Sequence, residues 1–289
     1  MRCLRWSLVL VVTVAFCATA APPQRVVAVG GDITETVYAL GAQDALVGAD
    51  TSSVWPAATE ALPKVGYQRN LSPEGVLSLS PDLVLASPDA GPESALNLVE
   101  QAGVAVKVVP GGSSPAGVKR KVRFVGDVFG REDDAEALVA RMERRLGAVR
   151  RQLDAIDGPR RRVLLLLAAD GGLLAAGRDT AADAIIRLAG GENVAAGFSG
   201  YKPLSREVAI AAAPEVIVVP GHAMARAGGR ERLRGMAGLV QTPAGREGRI
   251  VEVDSLLLLG FGPRLAEATE RLARHLYPHR FTVDEHPGG

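Results

Sequence analysis

Few side chains in this sequence are placed to do chemistry. Gly-x-Ser-x-Gly and the P-loop pattern are absent, and the two cysteines, Cys3 and Cys17, both lie in the first 20 residues. No activated nucleophile is therefore visible. Of the four histidines, His275, His279 and His286 crowd the C-terminal end, where a solvated tail is the plain account. Only His222 follows an apolar run, Val216 to Val219, that would carry it to the rim of a cleft. Zinc would want several histidines or carboxylates converging on one point, and this distribution disfavours it. Tyr67 stands in Val65-Gly66-Tyr67-Gln68-Arg69-Asn70-Leu71-Ser72, a loop between an extended stretch and a helix. A tyrosine in such a place is most often half-buried with its hydroxyl hydrogen-bonded.

The elements that must position these residues come in two sets. Leu71-Ser72-Pro73-Glu74 leads to Pro81-Asp82 and four apolar residues; Leu204-Ser205-Arg206-Glu207 leads to Pro214-Glu215 and another four at the same spacing. Gly66-Tyr67-Gln68-Arg69 and Gly200-Tyr201-Lys202-Pro203 stand just upstream of each. Gly31-Asp32-Ile33-Thr34 and Arg178-Asp179-Thr180 each open a helix further back, so the chain reads as two halves built to one plan. Short apolar runs at Val26 to Val29, Asp82 to Ala86 and Val104 to Val109 predict strands covered on both faces. A helix over Pro92 to Gln101 separates the last two. Val163 to Leu167, Val216 to Val219 and Ile250 to Val253 repeat the pattern, and a closing helix runs from Pro263 to about Tyr277.

Between the halves, Glu132 to about Ile156 carries no proline, and Leu138, Met142, Leu146, Val149 and Leu153 fall at helical spacing. A flexible hinge would be shorter and richer in glycine. The expectation is an α/β protein of two similar lobes, with mainly parallel sheets flanked by helices, joined by one long rigid helix. Its segments are a signal peptide over 1–20, lobes over 21–131 and 159–289, and the linking helix over 132–158. Such a connector limits large hinge closure.

Composition bounds the function. The chain has 33 basic and 32 acidic residues, so nothing in its charge calls for nucleic acid. Arg2 and Arg5 before the apolar run Ser7 to Phe16, then Ala18-Thr19-Ala20, form a secretory signal with cleavage after Ala20. The run is too short for a stable membrane anchor. Cys17 as a lipid-attachment site is disfavoured by Phe16 before it. The exported remainder has no cysteine, must hold its fold by packing alone, and suits a bacterial periplasm.

Four motifs then form a set: Gly-Gly-Asp-Ile-Thr-Glu at 30 to 35, Val-Gly-Tyr-Gln-Arg at 65 to 69, Gly-Tyr-Lys-Pro-Leu-Ser at 200 to 205 and Leu-Leu-Gly-Phe-Gly-Pro-Arg at 258 to 264. In this order, over nearly the whole chain after the signal, they resemble the periplasmic haem-binding proteins of bacterial haem-uptake ABC transporters. The resemblance implies a monomeric substrate-binding protein that captures haem between its lobes and delivers it to an ABC permease dimer. It implies Tyr67 as axial ligand of the ferric iron, a hard phenolate donor suited to that metal. Free tyrosine titrates near 10, so ligation needs the metal or a nearby cation, and Arg69 could supply one.

Arg178 and Arg264 are open to two readings, propionate partner or ordinary solvated arginine. Tyr201 mirrors Tyr67 and would line the wall; His222 is the remaining candidate for a second axial ligand. Glu74 and Glu207, each in the first turn of a serine-capped helix, are accounted for by the helix dipole alone. The resemblance adds docking onto arginines of a two-fold permease. Two other readings stay open: a siderophore or corrinoid as cargo on the same fold, and an exported hydrolase.

Overall fold

The computed structural model describes residues 21–169 and 172–281, so the signal segment, its Cys3 and Cys17, and His286 lie outside the described residues. The first lobe opens with β1 (Val26–Val29), α1 (Gly31–Ala39) and β2 (Leu46–Ala49), followed by the small hairpin of β3 (Gly66–Tyr67) and β4 (Asn70–Leu71). It continues through α2 (Pro73–Ser78), β5 (Leu83–Ala86), α3 (Glu93–Gln101), β6 (Ala105–Val108) and α4 (Pro115–Phe129). Then comes the connector α5 (Glu132–Asp154). The second lobe contains β7 (Arg162–Ala169), β8 (Gly172–Ala176), α6 (Ala181–Leu188), β9 (Glu192–Asn193), β10 (Tyr201–Pro203) and α7 (Arg206–Ala212). It ends with β11 (Val216–Pro220), α8 (Gly221–Arg226), α9 (Arg230–Gly235), α10 (Pro243–Arg246), β12 (Ile250–Val253), α11 (Ser255–Leu259) and α12 (Leu265–Leu276).

The internal repeat is visible in the sheets. The first has the order β2-β1-β5-β6, all parallel. In the second, β9, β7, β11 and β12 follow the same order and direction. The second sheet is extended by β8, antiparallel to β7, and β10, antiparallel to β8. That mixed edge departs from the expectation of a simple repeat, because Gly172-Leu173-Leu174-Ala175-Ala176 folds straight back on β7 instead of crossing over through a helix. Helix α4 was also absent from the sequence reading, although Ser114 caps it and Val118, Val122, Val125 and Phe129 give it a buried stripe.

Helix α5 is not a bare tether. It packs on α4 of the first lobe and α12 of the second, burying Leu138, Met142 and Val149. One apolar cluster runs unbroken from Val26 and Leu85 through those residues to Val163, Ile185 and Leu272. Interiors packed this way are stiff, so the shared core restrains the lobes more than a helix alone would. The turns after β1 and β12, at the C-terminal ends of parallel strands, meet across the lobes at Gly31 and Leu256, on the side where such sheets usually bind ligands.

Candidate functional site

The segment after β2 is fixed first. Asp50, fully buried, accepts hydrogen bonds from the Gly30 amide at 2.9 Å, the Ser52 amide at 2.8 Å and the Ser53 hydroxyl at 2.9 Å. This ties the loop to the start of α1 and leaves Trp55 47% exposed at its far end. The Thr51 amide donates to the Gly66 carbonyl at 2.8 Å, and the Gly91 amide to the Gln68 carbonyl at 2.8 Å. The hairpin carrying Tyr67 is thus held between the loops that follow β2 and β5. Gly66 makes the turn possible: its φ is +101°, and a Cβ there would come within 2.8 Å of the Asn70 carbonyl.

Tyr67 itself is 46% exposed and its hydroxyl makes no hydrogen bond among the described residues. The ordinary fate of such a tyrosine, half-buried and bonded, is not what the structure holds. Arg69 donates to Asp89 at 2.9 Å, which raises its pKa further; Tyr67 and Tyr201 both add to that field. One guanidinium therefore senses a phenol from each lobe. Tyr201, 42% exposed on β10, has its pKa pushed up by burial, with Arg69 and a hydrogen bond with Thr180 acting the other way. Tyr201 stays a neutral phenol at physiological pH, whereas Tyr67 keeps an uncommitted oxygen.

The remaining residues divide. Arg178 is exposed beside this space, its backbone bonded to Phe198 and Gly200, its guanidinium without a partner among the described residues. Lys202 lies 5.2 Å from the Phe198 ring centre. Neither cation is consumed by an ion pair among the described residues. His222 opens α8, and its Nδ1 lies 2.6 Å from the Ser255 hydroxyl; burial, then Arg226, lower its pKa and favour the neutral ring. Arg264 differs from the free reading. It pairs with Glu35 at 2.8 Å and its guanidinium lies 4.4 Å from the Trp55 ring centre, so it joins the lobes instead of standing open to a ligand. Nothing in the sequence points to a role for Glu35, Trp55 or Lys121, although Glu35 is the last residue of the first quoted motif.

Glu74 and Glu207 occupy matched places. Ser72 caps α2 through the Gly75 amide at 3.0 Å, and Ser205 caps α7 through the Val208 amide at 3.2 Å. Both glutamates are exposed. Glu207 has its pKa lowered by its own backbone amide, then by Ser205 and Arg206. Among the described residues no cluster of metal-ligating side chains occurs, and no helix is long and apolar enough to cross a membrane.

A family model described as periplasmic binding protein matches residues 26–257. Among solved structures, the periplasmic heme-binding protein BhuT, in complex with two hemes, is 44% identical. The match covers 87% of this chain and 97% of that one, with a TM-score of 0.82. The periplasmic heme-binding protein RhuT from Roseiflexus sp. RS-1, in apo form, is 41% identical over 88% and 98% of the two chains, with a TM-score of 0.83. A cobalamin-binding protein of Halobacterium salinarum is 31% identical, covering 87% of this chain and 69% of its own.

Proposed function

The chain belongs to the periplasmic binding protein family, and from that premise we propose that it captures ferric haem between its lobes and delivers it to an ABC transporter permease. It is exported by a cleaved signal and makes or breaks no bond in its cargo. The observation that supports this reading is Tyr67, 46% exposed with an uncommitted hydroxyl, beside an arginine that also interacts with Tyr201 of the other lobe. A phenolate oxygen is a hard donor that holds ferric haem, and the metal supplies most of the driving force for its deprotonation.

Val54, Trp55 and Tyr201 offer exposed apolar surface to a porphyrin face. Arg178 and Lys202, neither in an ion pair among the described residues, are the cations offered to its propionates. Arg69 is the helper of Tyr67 once it leaves Asp89. His222, neutral and held through Nδ1, retains Nε2 as a candidate second ligand. Glu74 and Glu207 are the charges that meet the permease, one on each lobe. The 44% identity to a protein solved with two hemes supports haem over a corrinoid, for which a cobalamin-binding relative stands at 31%.

Parallel absorption titrations test the proposal. Hemin is expected to give a saturable Soret band that Tyr67→Ala loses, while cyanocobalamin at the same concentrations neither binds nor competes. Saturable cobalamin binding with a featureless hemin titration would transfer the assignment to the corrinoid. Ester or phosphate turnover that survives loss of Tyr67 would instead favour the hydrolase.

A further inference from the structure

Two of the four sequence motifs touch each other. Glu35, on α1 in the first lobe, is 229 residues from Arg264, just before α12 in the second; the Arg264 amide donates to Oε1 at 3.2 Å and its Nη2 to Oε2 at 2.8 Å. The side chains are only 5% and 19% exposed respectively. Trp55 closes over the guanidinium, with its ring centre 4.4 Å away. Next to this pair, Lys121 from α4 binds Asp32 and donates to the Phe261 carbonyl at 3.0 Å.

The backbone is shaped for the same contact. Phe261 is a buried aromatic held at φ +49°, a conformation that bulky residues rarely adopt, and its carbonyl meets the other lobe's lysine. At Gly31 a Cβ would lie 2.5 Å from the Ser52 carbonyl and 2.8 Å from Leu256 of the second lobe; at Gly262 it would lie 3.1 Å from Glu35. Small residues on both sides let the lobes approach. A carboxylate this buried is tolerable only while its partner stays in place.

We infer that Glu35 and Arg264 are positioning residues for ligand capture. Their covered ion pair fixes the separation of the lobes, and with it the width of the cleft. The pair also holds Trp55 with one ring face on the guanidinium, leaving the remainder of that side chain exposed. The inference applies to any cargo of this cleft, because the pair is buried and is assigned no contact with the cargo. Capture then needs little rearrangement, and loosening the pair widens the mouth and speeds escape.

Pulsed dipolar spectroscopy tests it on the exported chain from Ala21, which carries no cysteine of its own. Spin labels go on Ser78→Cys in α2 and Ala211→Cys in α7, both exposed positions. The ligand-free parent is expected to give one narrow distance distribution. Glu35→Gln and Arg264→Gln should broaden it toward longer distances and make bound hemin dissociate several-fold faster to an apoglobin acceptor; Arg264→Lys should fall between. Trp55→Ala, at a half-exposed site, should give a smaller broadening of the same kind. An unchanged distribution in folded Trp55→Ala and Arg264→Lys would overturn the inference. If hemin does not bind at all, the distance measurement still decides the question, so the two failures are distinguishable.

Discussion

Arg69 and Asp89 are joined at 2.9 Å on the rim that carries Tyr67, both side chains more than half exposed at 59% and 64%. An ion pair so hydrated contributes about 0–1 kcal/mol to stability. The same guanidinium beside a phenolate is worth more, since a cation within about 4–6 Å lowers a phenol's pKa by one or more units. Asp89→Ala should therefore shift the melting temperature by no more than a few degrees and leave hemin affinity equal or tighter. Arg69→Ala should weaken hemin roughly tenfold. Thermal melts and hemin titrations of the two variants check this, and equal losses in both would separate Arg69 from the ligand.

Tyr201 supplies a control for Tyr67. Burial raises its pKa above the ordinary 10.0, so folding favours the neutral phenol. The stability this provides is complete below pH 10 and is lost as the pH rises through the folded-state value. Tyr201→Phe is expected to change hemin affinity by no more than about threefold, the scale of one modest hydrogen bond, with the iron spectrum unaltered from pH 6 to 9.

Docking should depend on charge at two points, and the contribution of Glu207 should be insensitive to mild acid. The Glu207 carboxylate is stabilised first by its own amide, then by Ser205, and ionises below the ordinary 4.5. Glu74→Lys and Glu207→Lys should each slow association with the permease about tenfold at low salt, and less at physiological salt. Surface-plasmon rates on permease in nanodiscs give the measurement. Hemin affinity should stay within error, and association of the Glu74→Gln variant, which leaves Glu207 as the remaining docking carboxylate, should stay flat from pH 8 to 5.

Two glycine substitutions have opposite expected signs. Gly31→Ala pushes a methyl against the Ser52 carbonyl at 2.5 Å, an overpacking that costs about 1–3 kcal/mol. Gly147→Ala lies within the linking helix with only the Arg151 guanidinium near, at 3.6 Å, and should gain about 0.5–1 kcal/mol. Urea unfolding of the two variants measures both.

The parallel core of each lobe was legible because its strands are short apolar runs and its helices keep a 3.6-residue stripe, patterns set by local burial. Helix α5 was readable for the same reason, from Leu138 to Leu153, and ends within a few residues of the expected stop. The serine caps of α2 and α7 followed from Leu-Ser-x-Glu alone. What was missed depends on distant partners. Strand β8 is Leu-Leu-Ala-Ala, which reads equally as helix until its antiparallel pairing with β7 is known. Glu35 and Arg264 were placed in the right motifs, but a separation of 229 residues hid that each is the other's partner. The Arg69–Asp89 pair was invisible likewise, because a third loop brings Asp89 to the rim.

The phenolate claim is tested most directly by Tyr67→Phe, which keeps the ring and removes only the oxygen. In the wild-type hemin complex, electron paramagnetic resonance should show axial high-spin ferric iron. Absorption should add the charge-transfer band of a phenolate ligand. In Tyr67→Phe both features should vanish, with affinity reduced by at least about tenfold. An identical iron signature and undiminished affinity in that variant would contradict the account.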